Sequence, residues 1–262
     1  MTENAGSLDS ALWRTIVFLL FQVLIVVISG LRPDGFASRG DWVIAPAPRV
    51  VSVNVGAPRL VRWHDRDVLT SIFKDPVAGR VAVQGVNLAG DDQADRTVHG
   101  GPDKAVYVYA QEDLDWWSAG LGVPLAPGVF GENLTVAEMA VTEAVIGERW
   151  RVNDVVLEVC GPRTPCYKLG IRMGADGFPR LFAAAGRPGA YLRILTAGTV
   201  AAGDVVIVEH RPSHGVTVRT VADAYHRDHS RAAELLAAPE LAAHWQAWAR
   251  KLVTRQRAAH AG

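Results

Sequence analysis

The sequence predicts a β-rich α+β fold, a barrel or sandwich of short strands followed by a small three-helix domain. Three observations point there. Seven segments in the middle of the chain carry the strand signature of β-branched and aromatic residues between Gly, Pro and Asp turns, without regular alternation with helices. After His214 the composition turns to helical spacing. Only two cysteines, Cys160 and Cys166, are present, so no disulfide or zinc framework replaces a buried core.

The elements follow in order. Residues 1–48 read as a hydrophobic leader and linker. Thr15 to Leu31 is uncharged with one strongly polar residue, Gln22, and sits at the short limit of a membrane-spanning helix. Arg14 precedes it and Arg32, Arg39 and Arg49 follow, so a true anchor at 15–31 would tether the bulk of the protein to the cytoplasmic face of the plasma membrane. Glu3, Asp9 and the lack of a basic leading region speak against a cleaved signal. The competing reading is a misassigned start. No methionine lies between Met1 and Met139, so a later start would use a non-ATG codon, for instance at Val50 or Val51. Asp34 to Pro48, rich in Gly, Pro, Ala and Ser, is a linker.

Residues 49–212 form the strand-rich domain. Strands are expected at Val50–Val55, Arg80–Val86, Ala105–Tyr109, Asn133–Val136, Val155–Cys160, Ala190–Leu195 and Val205–Glu209. Helical patches are expected at Gln111–Ala119, Tyr167–Met173 and Phe178–Ala185. Residues 213–262 form the helical tail: Val218–Tyr225, Ser230–Ala237 and Pro239–Ala258, the last with Leu241, Trp245, Trp248 and Leu252 on one stripe.

Composition excludes some classes of function. With 49% hydrophobic and 21% charged residues over 262 positions, the chain is not disordered. Its 27 basic residues balance 27 acidic ones, which leaves no global cationic field for a nucleic-acid polymer. Only Lys74, Lys104, Lys168 and Lys251 among the basic residues are lysines, which with abundant Ala, Gly and Val points to a GC-rich bacterial genome.

Chemistry concentrates in three segments. In Gly161-Pro-Arg-Thr-Pro-Cys-Tyr-Lys-Leu169 two prolines hold the backbone extended, and Cys166 falls where a helix should begin. A thiol there, flanked by Arg163 and Lys168, is expected to ionise readily and suits a metal ligand, a persulfide carrier or a nucleophile; the bland reading is a small buried hydrophobe. Cys160, inside the apolar run VVLEVC, looks like the bland case, and a Cys160–Cys166 disulfide is disfavoured in a cytoplasmic protein. Gly90 to Lys104 is a long polar loop in which His99, Gly100 and Gly101 offer an imidazole and bare amides to an anion, and Lys104 a phosphate contact; alternatively His99 is a turn histidine and Lys104 a solvated charge. Gly128 to Thr135 places Glu132 and Asn133 at a strand start, with Asn133 and Thr135 on one face, to orient a polar ligand or to close a turn. His210, His214, His226 and His229 lack carboxylate or cysteine companions and read as surface histidines. Walker, dinucleotide, Gly-x-Ser-x-Gly and H-E-x-x-H patterns are absent.

Taken together, GDDQADRTVHGGPDKAVYVY (Gly90 to Tyr109), GENLT (Gly131 to Thr135) and GPRTPCYKLGIRMG (Gly161 to Gly174) resemble the MOSC domain, and within it the YiiM-like bacterial branch with a C-terminal three-helix domain. The resemblance covers roughly Arg49 to His210 and the tail. The leader is outside the family pattern, and Gly161 stands where a glutamine is expected. The resemblance implies a β-barrel-like fold that binds molybdenum cofactor (molybdopterin), with Cys166 as the protein ligand to molybdenum. His99, Glu132, Asn133 and Arg163 match motif positions that the resemblance expects to line the pocket; with them, Arg163, Lys104 and the Gly100 and Gly101 amides are expected to engage the cofactor phosphate, Asn133 and Thr135 to contact the cofactor, and His99 or Glu132 to deliver a proton. It implies reduction of small N-hydroxylated compounds, hydroxylaminopurines and amidoximes, to amines. With no flavin, haem or iron–sulfur motif of its own, such a chain takes electrons from an external reductase. Two alternatives stand beside it: a persulfide or cofactor carrier using Cys166, and a catalytically silent binding domain.

Overall fold

The computed structural model describes residues 46–93 and 100–261. The leader, including 15–31, and His99 lie outside them; among the described residues no helix is long and apolar enough to cross a membrane. The strands are β1 (Arg49–Val55), β2 (Arg59–Trp63), β3 (Arg66–Thr70), β4 (Asp75–Pro76), β5 (Val81–Gln84), β6 (Asn87–Leu88), β7 (Val106–Ala110), β8 (Leu134–Ala137), β9 (Arg149–Val152), β10 (Val155–Pro162), β11 (Ala190–Thr196), β12 (Gly198–Val200) and β13 (Val206–His210). The helices are α1 (Gln111–Leu121), α2 (Tyr167–Met173), α3 (Phe178–Ala185), α4 (Val218–His226) and α5 (Ala243–Ala261).

Eight strands make the main sheet, in the order β13-β9-β10-β11-β7-β8-β1-β4. Every pair in it is antiparallel except β7 with β8, where α1 supplies the crossover that parallel neighbours need. The sheet curls back on itself. Arg49 bridges Val205, and backbone bonds from Val50 N–H to Asp204 O (2.9 Å) and from Val206 N–H to Pro48 O (2.8 Å) tie the start of β1 to the start of β13. This is the β-rich α+β class that the sequence predicts, with a barrel-like sheet.

Alternation along β7, VYVYA, divides two cores, because successive side chains point to opposite faces. Val106, Val108 and Ala110 join the aliphatic interior with Leu134, Leu157 and Leu192. Tyr107 and Tyr109 join an aromatic cluster with Trp117, Phe130, Phe178 and Phe182, which seats α1, α2 and α3. There Trp117 and Phe182 stack with ring centres 5.8 Å apart.

All seven expected strands form, within a residue or two at most ends, as do the three helical patches. Two expectations in the tail are corrected. The segment His229–Ala237 winds as a 3-10 helix, not an α-helix. The last helix begins at Ala243 and not at Pro239, because the Ala242 N–H is given to the Cys160 carbonyl (2.9 Å). Leu235, Leu241, Ala242 and Trp245 share the aliphatic core with the sheet, so the tail is packed onto it.

Candidate functional site

The end of β10 and the start of α2 frame the site. Pro162 closes β10 opposite Ala190, and Pro165 keeps the preceding residue extended, so the chain leaves the sheet without hydrogen-bonding further. Cys166 then caps α2 with extended dihedrals (φ −120°, ψ 172°), and its carbonyl accepts from Leu169 N–H at 2.9 Å. The Cys166 side chain is half-buried. Two cavities meet at it.

The first, of about 110 Å³, is lined by Lys74, Asp91, Asn133, Arg163, Cys166 and Lys168 among others. On one wall every group is committed. Lys74 is ion-paired with Asp91, and both side chains are under a tenth exposed. The other Asp91 oxygen accepts from Asn133 Nδ2 (2.8 Å), and Asp91 Oδ1 also accepts from the Gly56 N–H (2.8 Å). Burial pulls the Lys74 ammonium below its ordinary range, against the attraction of Asp91. Asn133 in turn accepts the Tyr107 N–H at Oδ1 (3.0 Å), locking β7 to the start of β8.

The opposite wall differs. Arg163 is 6% exposed and its guanidinium carbon lies 5.3 Å from the ring centres of both Tyr107 and Phe182. Its Nη1 is buried with no hydrogen-bond partner, and among the described residues no carboxylate pairs with it. A buried guanidinium stays charged and needs an acceptor. Ser71 Oγ, on the same cavity, is likewise buried without a partner.

The second cavity, of about 230 Å³, shares Lys104, Thr164, Cys166 and Tyr191 with the first. Its remaining walls include Gly161, Pro162, Pro165, Ala242, His244 and Trp245. Burial, helped by the nearby Lys104 ammonium, holds the His244 imidazole below its ordinary value.

The structure thus gathers Cys166, Arg163, Asn133 and Lys104. It sets Glu132 and Thr135 behind the wall. Glu132 is fully buried, and its two oxygens accept from the N–H groups of Gly128 (2.6 Å) and Phe130 (3.0 Å) and from the Thr135 hydroxyl (3.2 Å). Burial raises its carboxyl above the ordinary value despite those bonds. The Gly101 N–H donates to Gln93 Oε1 (3.3 Å). Gly100 and Gly101 line neither cavity. Cys160 is a structural thiol, as its apolar strand implied: it donates toward the carbonyls of Asp103 (3.2 Å) and Tyr191 (3.3 Å), burial pushes its pKa up to about 12, and both cysteines are free. His214 is not a surface histidine. The tail folds over it, Val216 N–H donates to its Nδ1 (3.0 Å) and its Nε2 lies 3.5 Å from Glu240.

Sequence reading missed Lys74, Asp91, Tyr191, His244 and Trp245. Lys74 is one of only four lysines, a signal of sorts; Trp245 was absorbed into a helical stripe.

A model of the MOSC domain matches residues 95–207. The uncharacterised protein YflK of Bacillus subtilis is 36% identical over 170 residues, which span 65% of this chain and 77% of YflK. The chain belongs to the MOSC domain family. Protein YiiM of Escherichia coli is 29% identical over 182 residues, spanning 67% of this chain and 81% of YiiM. A protein named a reductase in Gibberella moniliformis is 31% identical over 187 residues, which cover 69% of this MOSC chain but 33% of that relative. The crystal structure of YiiM from Geobacillus stearothermophilus superposes with a TM-score of 0.65 at 26% identity, covering 78% of this chain and 98% of that one.

Proposed function

We propose that this MOSC protein is a molybdenum-cofactor-dependent oxidoreductase that reduces N-hydroxylated compounds, such as hydroxylaminopurines and amidoximes, to amines. The observation that carries the reading is the juxtaposition, in one cavity, of half-buried Cys166 with buried Arg163, whose Nη1 has no hydrogen-bond partner. The named reductase among the relatives supports the redox class.

The residues fit the cofactor. Molybdopterin carries a phosphate, and Arg163 Nη1 is a buried donor in want of an acceptor, with Lys104 and Lys168 on the same cavity. Among the described residues no three His, Cys, Asp or Glu side chains converge on a metal position, so a metal here would bring most of its own ligands. A dithiolene-bound molybdenum does that and needs one more soft donor, the Cys166 thiolate. When bound, the cofactor supplies the two-electron couple for N–O cleavage, R–NHOH + 2e⁻ + 2H⁺ → R–NH₂ + H₂O, its electrons arriving from an external reductase.

The chain's own work is positioning and charge control. Arg163 holds the anion, Asn133 fixes the Asp91 wall, and the Pro162–Pro165 turn presents the thiol. Glu132, expected as a proton donor, serves instead to position the Gly128–Phe130 turn, and His99 is left as the donor of the proton. Two unlinked cysteines suit a reducing compartment, and we place the protein in the cytoplasm.

Anaerobic purification with metal analysis tests the reading. Wild type is expected to carry molybdenum and to reduce 6-hydroxylaminopurine, and Cys166→Ala to lose both with its melting temperature unchanged. Normal molybdenum and activity in that variant would overturn it. An extra sulfur on Cys166 by mass spectrometry, without molybdenum, would make the protein a sulfur carrier.

A further inference from the structure

The charge of α5 departs from that of the chain it belongs to. The whole sequence balances 27 basic against 27 acidic residues, yet the 19 residues of α5 hold Arg250, Lys251, Arg255 and Arg257 and no Asp or Glu. All four cations are exposed, on the side of the helix away from Trp245, Ala249 and Leu252, which pack on the core. Among the described residues none of the four is paired with a carboxylate, and the Arg250 guanidinium reaches only the Gln246 side-chain oxygen (2.5 Å). Acids on the neighbouring tail segments are engaged elsewhere: Asp223 by Arg227 (2.9 Å), Asp228 by the Ser230 amide (3.0 Å) and Glu234 by Arg231 (2.9 Å).

The needs of the helix itself do not explain this pattern. Its macrodipole favours cations near the last turn, such as Arg255 and Arg257, but Arg250 and Lys251 sit in mid-helix. Lys251 and Arg255 are one turn apart and repel, where a helix stabilising itself would set an acid against a base. The helix is nonetheless firmly mounted. Trp245 and Trp248 pack edge-on to Tyr225 (ring centres 4.9 and 5.3 Å apart), and Gln256 Nε2 donates to the His229 carbonyl (3.0 Å). Its first turn belongs to the site: His244 meets solvent and, with Ala242 and Trp245, lines the second cavity together with Cys166.

We propose that the cationic face of α5 is the docking surface for the external electron donor, a protein with an acidic rim around its redox group. The inference rests on the function proposed above and adds where the electrons arrive. Each turnover oxidises two one-electron donors, and their two electrons are consumed with two protons as R–NHOH becomes R–NH₂ and water. Transient redox encounters use small, charged interfaces, and opposite charge speeds the encounter. Arg250 to Arg257 spans only about 10 Å of helix axis, too short a track for a nucleic-acid polymer. A membrane is equally ill served, since the side chains that would enter it, Trp245, Trp248 and Leu252, face the core.

The test uses the molybdenum-loaded full-length protein with 6-hydroxylaminopurine and three reductants. Reduced flavodoxin and reduced plant-type ferredoxin are acidic proteins; dithionite-reduced methyl viologen is a small cation that needs no docking surface. Wild type is expected to accept electrons from at least one of the two proteins, with a donor KM that rises at least about tenfold between about 0.1 M and about 1 M salt, as the screening length falls from about 10 to about 3 Å. In the fourfold variant Arg250→Gln, Lys251→Gln, Arg255→Gln, Arg257→Gln the donor KM is expected to be raised at least about tenfold already at low salt and to lose its salt dependence, while the methyl viologen rate is kept. A readout independent of turnover is surface plasmon resonance of the two oxidised donors on the cofactor-free full-length chain: wild type binds at low salt and the variant does not. Circular dichroism and melting temperature check folding; if the fourfold variant does not fold, the pair Lys251→Gln, Arg255→Gln, which relieves a repulsion, decides. The inference is overturned if wild type is active with methyl viologen but takes electrons from neither protein, if the folded variant keeps the wild-type donor KM, or if phosphatidylglycerol vesicles or duplex DNA bind more tightly than both donors. If wild type holds no molybdenum and is inactive with methyl viologen, the functional reading falls, and the binding measurement still answers for the surface.

Discussion

Lys74 and Arg163 are both buried cations on the wall of one cavity, and the fold treats them in opposite ways. Lys74 has a carboxylate of its own, which is further held by Asn133 and the Gly56 amide. Arg163 has two aromatic faces and an orphaned Nη1. A closed ion pair is part of the scaffold and has nothing left to give a ligand. An open cation is a cost the apo fold carries, recovered only when an anion arrives. The difference teaches which wall binds and which wall supports.

Removing one member of the closed pair gives the largest expected effect. Asp91→Ala leaves Lys74 buried and unpaired, and is expected to lower unfolding free energy by about 3–5 kcal/mol, read from urea denaturation. A loss below about 1 kcal/mol would mean that the pair is not scaffold. Arg163→Met should do the reverse: stability within about 1 kcal/mol of wild type, because an apolar chain of similar length replaces a buried charge that has aromatic contacts but no carboxylate, while molybdenum retention on gel filtration falls at least tenfold. Retained molybdenum there would erase the contrast between the two walls.

The two cysteines repeat the contrast on a smaller scale. Half-buried Cys166 is expected to react with iodoacetamide in the native state, and Cys160 only on unfolding, counted by peptide mass spectrometry. The sign of the pH effect follows from burial. Cys160 is raised from 9.0 to about 12 in the fold, so the stability gained by keeping it neutral is complete below pH 9 and is lost as pH climbs toward 12. Relative to Cys160→Ala, wild type should therefore lose roughly 1 kcal/mol between pH 8 and pH 10. Parallel pH profiles for the two proteins would contradict the burial.

Much of this was legible in the sequence where the physics is local. The strands with apolar alternation all form, and α2 and α3 match their expected limits because Pro165 and Pro179 mark their starts and Gly174 and Gly186, at φ 65° and 67°, their ends. The β2–β3 hairpin was invisible because it is not a core element: Arg59, Arg62, Arg66 and Asp67 punctuate it and Leu60 is 70% exposed. β9, RWRV, hides its core Trp150 between arginines. In the site, the motif carriers Cys166 and Arg163 could be read directly, since their role follows from nearby prolines and charge. Glu132 could not, because whether a carboxylate faces a cavity or a turn depends on which amides reach it. Trp245 and His244 could not either. They join the site only because the tail, some 80 residues downstream of Cys166, packs onto the end of β10.

The bridge between Arg49 and Val205 also sets the order of events at birth. β1 is among the first strands of the sheet to leave the ribosome and its partner β13 is the last. At about 5–20 residues per second, the early strand waits on the order of ten seconds or more with one edge unsatisfied. Pairing so distant in sequence is slow to nucleate. The half-made chain therefore leaves that edge unpaired during synthesis, and the second cavity at Cys166, whose walls include Ala242, His244 and Trp245, is completed only once the tail has been made.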